Sequence, residues 1–439
     1  MFRIHSHPHP RPTFPPKSID VTVSRFKLRP RASHTQPHCA ARAQPTDSAD
    51  MGGSSRGRAP VGLALVATLC AFAGTAAAVL APKPTAASWM ASYSTRSFGE
   101  LVLPGTHDSA TRYLSSELLP DDGQLPKWVR DAIRIAEAAK IPLDQLVRRW
   151  AKAQSLDVGE QLEVGVRYVD LRAGWDKPSE AWKIHHALTG QLVDEVLEQV
   201  KVFLTKHTSE VVIVELSHFF GKPTKEDVER LAQATQEIFG ELVKPFNGDT
   251  ASLYSMKIGA DFVAKNQRVV VVFEDDVVGA KYSFWPGKTL TNTYADTDDP
   301  RRMYAFNREV VMAFNDKETF REDALLKLSW TLTTQAQTIL ASLNIFEKNP
   351  HSLLELAAWK ANPGLSHFIA EASLYHCSIA HIIVVDDLEH SNLLDVVLSL
   401  NDRGMEEKGE CLWHAHDERS FEAIEDYENE RFDFWITSE

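Results

Sequence analysis

Three polar clusters interrupt apolar stretches of this 439-residue chain, and together they hold the groups needed to move protons at a centre that develops negative charge. His107 and Asp108 follow Leu103-Pro104-Gly105-Thr106, where a short apolar run breaks at Pro-Gly. Asp170 and Arg172 lie in Val166-Arg-Tyr-Val-Asp-Leu-Arg172, a strand pattern. A period of two puts Val166, Tyr168, Asp170 and Arg172 on one face, and Arg167, Val169 and Leu171 on the other. His185 and His186 end Trp182-Lys-Ile-His-His186, a further short strand. Imidazoles titrate near neutrality, so one can take a proton while another gives one, and a guanidinium beside them stabilises negative charge. Each cluster by itself reads as surface polarity or a structural ion pair; delivered together by strand ends, they point to chemistry.

The elements that must position these groups alternate. Strand patterns fall at 101–103, 166–172, 182–186, 210–216, 268–273, 328–333 and 381–385, with Val211, Ile213 and Glu215 on one face of the fourth. Helical spacing falls at 128–140, at 143–153 through Leu143, Leu146, Val147 and Trp150, at 157–164, at 192–206, at 226–239 and at 393–400. Strand, helix and strand at these lengths make parallel crossover units. The expected fold is therefore α/β, a TIM-like (β/α) barrel of distorted or irregular form over 90–400, with the polar clusters at its open C-terminal end. A doubly wound sheet is the alternative, but no dinucleotide glycine fingerprint supports it. Residues 284–300 read as a long irregular loop of the kind that lines a site.

Leu-Pro-Gly-Thr-His-Asp-Ser (103–109), Gly-Val-Arg-Tyr-Val-Asp-Leu-Arg (165–172), Ile-His-His (184–186) and Glu-Val-Val-Ile-Val-Glu-Leu (210–216) resemble the X domain of phosphatidylinositol-specific phospholipase C, in its small metal-independent forms. Phe-Trp-Pro (284–286) and Val-Val-Asp-Asp-Leu (384–388) are similar to later strands of that family. The resemblance implies a phospholipid substrate at a membrane surface and no cofactor or metal. It implies that His107 deprotonates the inositol 2-hydroxyl, that His186 protonates the departing diacylglycerol oxygen, and that Arg172 neutralises the phosphate. Asp170 would hold His186, Asp387 or its neighbour Asp386 would support His107, and Asp108 and Trp285 would contact substrate. Ser217-His218 stands where a basic residue is expected, and Glu274-Asp275-Asp276 where a substrate-binding Arg is expected, which leaves the headgroup open. A catalytically quiet lipid- or partner-binding barrel would leave the His107, Arg172 and His186 set unexplained. A metal-dependent phosphodiesterase would call for more carboxylates than Asp170 and Glu215.

Charge divides the chain. Residues 1–60 hold ten Lys and Arg against three Asp and no Glu, a surplus of seven, so the remainder carries −20 of the formal −13. That acidity argues against a nucleic-acid partner. Residues 1–50, rich in Pro, His, Arg and Ser, read as a disordered basic segment or a gene-model extension. From Met51, a short basic region, the apolar 61–74 and the small residues Thr75-Ala-Ala-Ala78 have the form of a secretory signal over 51–82, with an uncleaved anchor at 61–81 as the alternative. A secreted or extracellular protein is the expectation. Such a route permits a Cys377 to Cys411 disulfide without demanding it. His414 and His416 in the acidic tail 401–439 read as solvated side chains.

Overall fold

Ten strands organise the protein in a computed structural model that describes residues 85–117, 127–315, 324–344, 346–376 and 378–406. They are β1 (Leu103–Thr106), β2 (Tyr168–Asp176), β3 (Ala181–His186), β4 (Leu188–Leu192), β5 (Val212–Phe220), β6 (Val269–Phe273), β7 (Trp285–Pro286), β8 (Leu290–Thr293), β9 (Leu325–Trp330) and β10 (Ile382–Val385). The ladder runs β7-β6-β5-β2-β1-β10-β9-β8, with β3 and β4 as an antiparallel hairpin on β2. Every pairing along that path is parallel. Read around the sheet, the strands follow chain order, as a (β/α) barrel requires. The ends of the path, β7 and β8, are neighbours in sequence, joined through Gly287–Thr289, and no ladder links them among the described residues. The barrel is thus curled but open at one seam. Pro286 sits at that edge, where a residue without an N–H cannot extend a ladder.

Alternation along each strand splits the core in two. Leu103, Tyr168, Ile213, Val270, Val272, Trp285, Leu325, Ile382 and Val384 fill the barrel interior, closed at the N-terminal end of the strands by Trp89, Met90, Phe98 and Phe262. Val169, Leu171, Val212, Val214, Val271, Ile383 and Val385 face outward onto helices. Helix Val193–Lys206, for example, buries Val193, Val196, Leu197, Val200, Phe203 and Leu204. Each such apolar side chain contributes about 1.5–3 kcal/mol. Caps fix where helices begin: Asp157 accepts from the Glu160 N–H at 2.8 Å, and Thr224 from the Asp227 N–H at 3.2 Å.

The expected helices stand at Lys127–Ala139, Leu143–Ala151, Val158–Glu163, Val193–Lys206, Lys225–Phe239 and Leu393–Glu406. The stretch 284–300 is not wholly irregular, because it contains β7 and β8. A two-residue and a four-residue strand are too short to show a period, and only the neighbouring strands reveal them. Residues 1–82 with the expected signal or anchor, Cys377, Cys411, His414, His416 and the tail beyond 406 lie outside the described residues. No helix among the described residues is long and apolar enough to cross a membrane.

Candidate active site

Close packing at the C-terminal mouth begins with Gly105. A Cβ there would stand 2.7 Å from the Tyr168 ring and 2.8 Å from Val384, so β1 passes these neighbours only without a side chain. The chain then turns sharply. Asp108 takes φ +45°, a left-handed conformation that Asp tolerates better than most residues. Its N–H donates to Asp170 Oδ2 at 3.2 Å, and the Thr111 hydroxyl donates to its carbonyl at 2.8 Å. The Ser109 Oγ meanwhile accepts from the Asp170 N–H at 2.8 Å, tying the loop to β2.

This turn makes Asp108 the hub of the site. Its Oδ1 lies 2.7 Å from Arg172 Nε, and its Oδ2 lies 3.3 Å from Nε2 of both His107 and His186. The two imidazole centroids are 6.5 Å apart. His107 Nδ1 is 2.9 Å from Asp386 Oδ1 at the end of β10, and its Nε2 is 2.7 Å from Arg172 Nη2. On the other side, His186 Nδ1–H donates to the Ala151 carbonyl at 2.6 Å, which turns Nε2 toward Asp108. Each imidazole therefore has one nitrogen anchored and the other aimed into the mouth.

Electrostatics separates the two rings. Burial would push His107 down, but the Asp108 and Asp386 carboxylates outweigh it and hold the ring up at about 9. His186 goes the other way: burial pushes it below its usual value, and Arg172 adds to the effect against Asp108. The guanidinium N–H facing His107 Nε2 fits the neutral ring with its proton on Nδ1. When the ring is cationic, Nε2 becomes a donor, and Asp108 Oδ2 is the acceptor within reach. Asp108 itself is held well below the usual carboxylate range despite burial, by Arg172 first and then by His107 and His186. Burial likewise opposes ionisation of Asp170, and Lys327 followed by Arg172 overcomes it.

Of the expected site residues, the structure brings His107, Asp108, Asp170, Arg172 and His186 together. Three expected roles change. Asp170 does not hold His186; Asp108 does, because the left-handed turn carries its carboxylate between the rings. Asp387 does not support His107 either. It takes φ +49°, its N–H donates to Ala153, and its Oδ2 sits 2.8 Å from His390 Nδ1, so that Asp386 faces the site instead. Trp285 is not a substrate contact: fully buried in the barrel interior, it donates its indole N–H to the Lys244 carbonyl at 2.9 Å. His185 also points away, stacked on Phe220 with centroids 4.1 Å apart.

Supporting residues that sequence reasoning missed include Gln154, Asn362 and Lys327. The Gln154 amide donates to the His107 and Val385 carbonyls at 3.0 and 2.9 Å, and Asn362 donates to Asp386 and Asp387 at 3.0 and 3.1 Å. Neither has a local signal, since each acts across more than 20 residues of chain. Lys327 did carry one: a lysine inside Leu325-Leu-Lys-Leu-Ser-Trp330 is out of place unless it is paired.

The mouth encloses a cavity of ≈390 Å³ lined by His107, Asp170, Arg172, His186 and Lys327, with Trp128, Trp150 and Tyr294 among its walls. Single atoms of His107, Asp108 and Asp170 lie within 4.8 Å of one another, a spacing that could gather a divalent ion. The donor set does not fit one while Arg172 stands where it does, 2.7 Å from both Asp108 Oδ1 and His107 Nε2, because the cation that these groups gather is the guanidinium.

Barrel and mouth together are of the phosphodiesterase type, with two imidazoles and a fixed positive charge converging on one polar cavity. Residues 142–257 match the phosphatidylinositol-specific phospholipase C X domain, a span that begins after the His107 turn. PI-PLC X domain-containing protein 3 is 26% identical to this chain in both zebrafish (Danio rerio) and human, over 72% of this chain and 93% of each relative. Mouse PI-PLC X domain-containing protein 2 is 30% identical over 50% of this chain and 63% of its own length. The chain is thus similar to these X-domain proteins and matches their family model over residues 142–257. Among solved structures, the phosphatidylinositol-specific phospholipase C from Listeria monocytogenes matches 72% of this chain and 98% of its own, with TM-score 0.47 and 15% identity.

Proposed function

We propose that the protein cleaves phosphatidylinositol-type lipids by metal-independent attack of the inositol 2-hydroxyl on its own phosphorus, giving diacylglycerol and a cyclic inositol phosphate. The observation that carries this reading is the placement of His107 and His186 on either side of Asp108, with Arg172 on the same carboxylate. His107 Nε2 takes the hydroxyl proton, and the hydroxyl oxygen forms a bond to phosphorus. The bond from phosphorus to the glycerol oxygen breaks, and that oxygen takes the proton from His186 Nε2. Asp386 stabilises the imidazolium that forms at His107, as a buried carboxylate does for a histidine base. Asp108 does the same for His186 before it gives up its proton. Arg172 turns its donors from His107 to the non-bridging phosphate oxygens as negative charge develops.

Release of water-soluble inositol phosphate from phosphatidylinositol vesicles tests the reading. The expected result is equal release with and without chelator. Release that disappears in chelator and returns with Ca²⁺ would overturn the metal-independent route, and no release in either condition would favour a quiet lipid-binding barrel.

A further inference from the structure

We propose that Lys327 is a substrate-binding residue that reads the neutral polyol part of the headgroup from the floor of the cavity. The inference rests on the phosphatidylinositol reading and adds to it a recognition group in the cavity that Arg172 also lines. Lys327 lies on β9, with 5% of its side chain exposed, yet it lines the cavity. Its ammonium is 2.8 Å from Glu215 Oε2 on β5 and 2.8 Å from the Tyr168 hydroxyl on β2, which in turn donates to Glu215. An ammonium has three N–H donors, and these two contacts use two of them. The third is left for the cavity. Ser329, two residues on and so on the same strand face, also lines the cavity, with Asn292 of β8 3.4 Å from its hydroxyl.

Stability is a poor reason for such a pair. Desolvating two ions offsets most of their attraction, and apolar residues of the same volume would pack the interior at least as well. The charges around Lys327 also indicate what it binds. Glu215 and Asp170 already balance it, and both would repel a second phosphate, whereas a hydroxyl can accept from the remaining N–H without adding charge. A vicinal polyol offers such oxygens to Lys327, Ser329 and Asn292 together.

The test compares wild type with Lys327→Met/Glu215→Gln, in which both charges are removed so that neither is left buried and unpaired, and thermal unfolding confirms that the double variant folds. Calorimetry with myo-inositol and with inositol 1,4-bisphosphate reads binding without turnover, and vesicle release reads activity separately. The expected result is that myo-inositol binds the double variant about 10-fold or more weakly, the scale of losing a hydrogen bond to a charged group. In vesicle release the loss should fall on KM more than on kcat. Equal myo-inositol binding by the two proteins, or none by wild type, overturns the role of Lys327 even where wild-type vesicle release upholds the proposed reaction. So does bisphosphate binding that exceeds myo-inositol binding and depends on Lys327, since it would make the lysine a phosphate site.

Discussion

Arg167 and Arg172 belong to one strand segment and are both paired with buried carboxylates, yet they serve opposite ends of the barrel. Arg167, just before β2, spends its donors on groups that cannot leave. Its Nε and Nη2 bind Glu210 at 2.9 and 2.7 Å, its Nη1 binds the Leu162 and Val166 carbonyls at 2.9 and 2.6 Å, and its Nη2 also reaches the Ala87 carbonyl at 3.0 Å. No part of its side chain is exposed. Arg172 is held by one carboxylate and one imidazole, and 23% of its side chain opens on the cavity. The same ion pair is thus a structural clamp where backbone carbonyls absorb every donor, and a reactive group where some donors face a space that substrate can enter.

The largest effects should come from the histidines that share Arg172's carboxylate. His107→Ala and His186→Ala should each lower turnover on the order of 10³-fold or more, the scale of losing a positioned base or acid. They should part company on a nitrophenyl phosphodiester of inositol, whose leaving group needs no proton. There His186→Ala should recover in part and His107→Ala should not. Equal losses on both substrates would reverse or dissolve the acid and base assignments.

Next come the arginines themselves. Arg172→Lys keeps the charge but loses the planar fork, and should lower kcat by roughly 10²-fold with the unfolding midpoint unchanged. Arg167→Met should do the reverse, costing about 3–5 kcal/mol of stability by leaving Glu210 buried and unpaired, while turnover per folded molecule stays near wild type. If urea unfolding and kinetics show both variants losing the same property, the two ends of the barrel are not functionally distinct.

The smallest expected change lies in pH dependence. The reactive form has His107 neutral and His186 protonated, the reverse of what their surroundings favour, so it is a minor form. Its population follows a bell, with its acid limb where His186 titrates, below the ordinary value, and its alkaline limb where His107 does, at about 9. Asp386 favours the imidazolium, so Asp386→Asn should move the alkaline limb down in pH. Asp387→Asn should leave it in place, because Asp387 faces His390. A kcat/KM profile in which only Asp387→Asn shifts that limb would return the supporting role to Asp387.

How much of this was legible beforehand varies with the range of the interaction. The period-two pattern of 166–172 put Asp170 and Arg172 on one face, and the structure keeps them there, facing the barrel interior with Tyr168. Five of the expected helices stand within about two residues of their expected positions, because 3.6-residue spacing over several turns is a strong local signal, whereas the last runs on to Glu406 and the helices Pro300–Asn315 and Leu365–Tyr375 were not expected. Lys327 was missed because a strand placed at 328–333 began three residues too late, whereas β9 begins at Leu325. Strand boundaries are set by neighbouring ladders rather than by the strand's own residues. The resemblance made Trp285 a substrate contact, but once β7 pairs with β6 at Val272, its ring turns into the interior.

The sequence by itself determined the alternation of strands and helices, the polar turn after β1, the carboxylate and guanidinium on β2 and the histidine pair on β3, since each depends on residues close together in the chain. The tertiary structure decided which partner each group meets. Asp108 rather than Asp170 lies between the imidazoles because a left-handed turn swings it there, and Asp386 rather than Asp387 meets His107 because adjacent residues at the end of β10 face opposite ways. Lys327 reaches Glu215 across 112 residues of chain. Hydrogen-bond partners and burial, and with them the ionisation of each group, depend on distances of a few ångströms across the barrel, and these are set only when all the strands close around one interior.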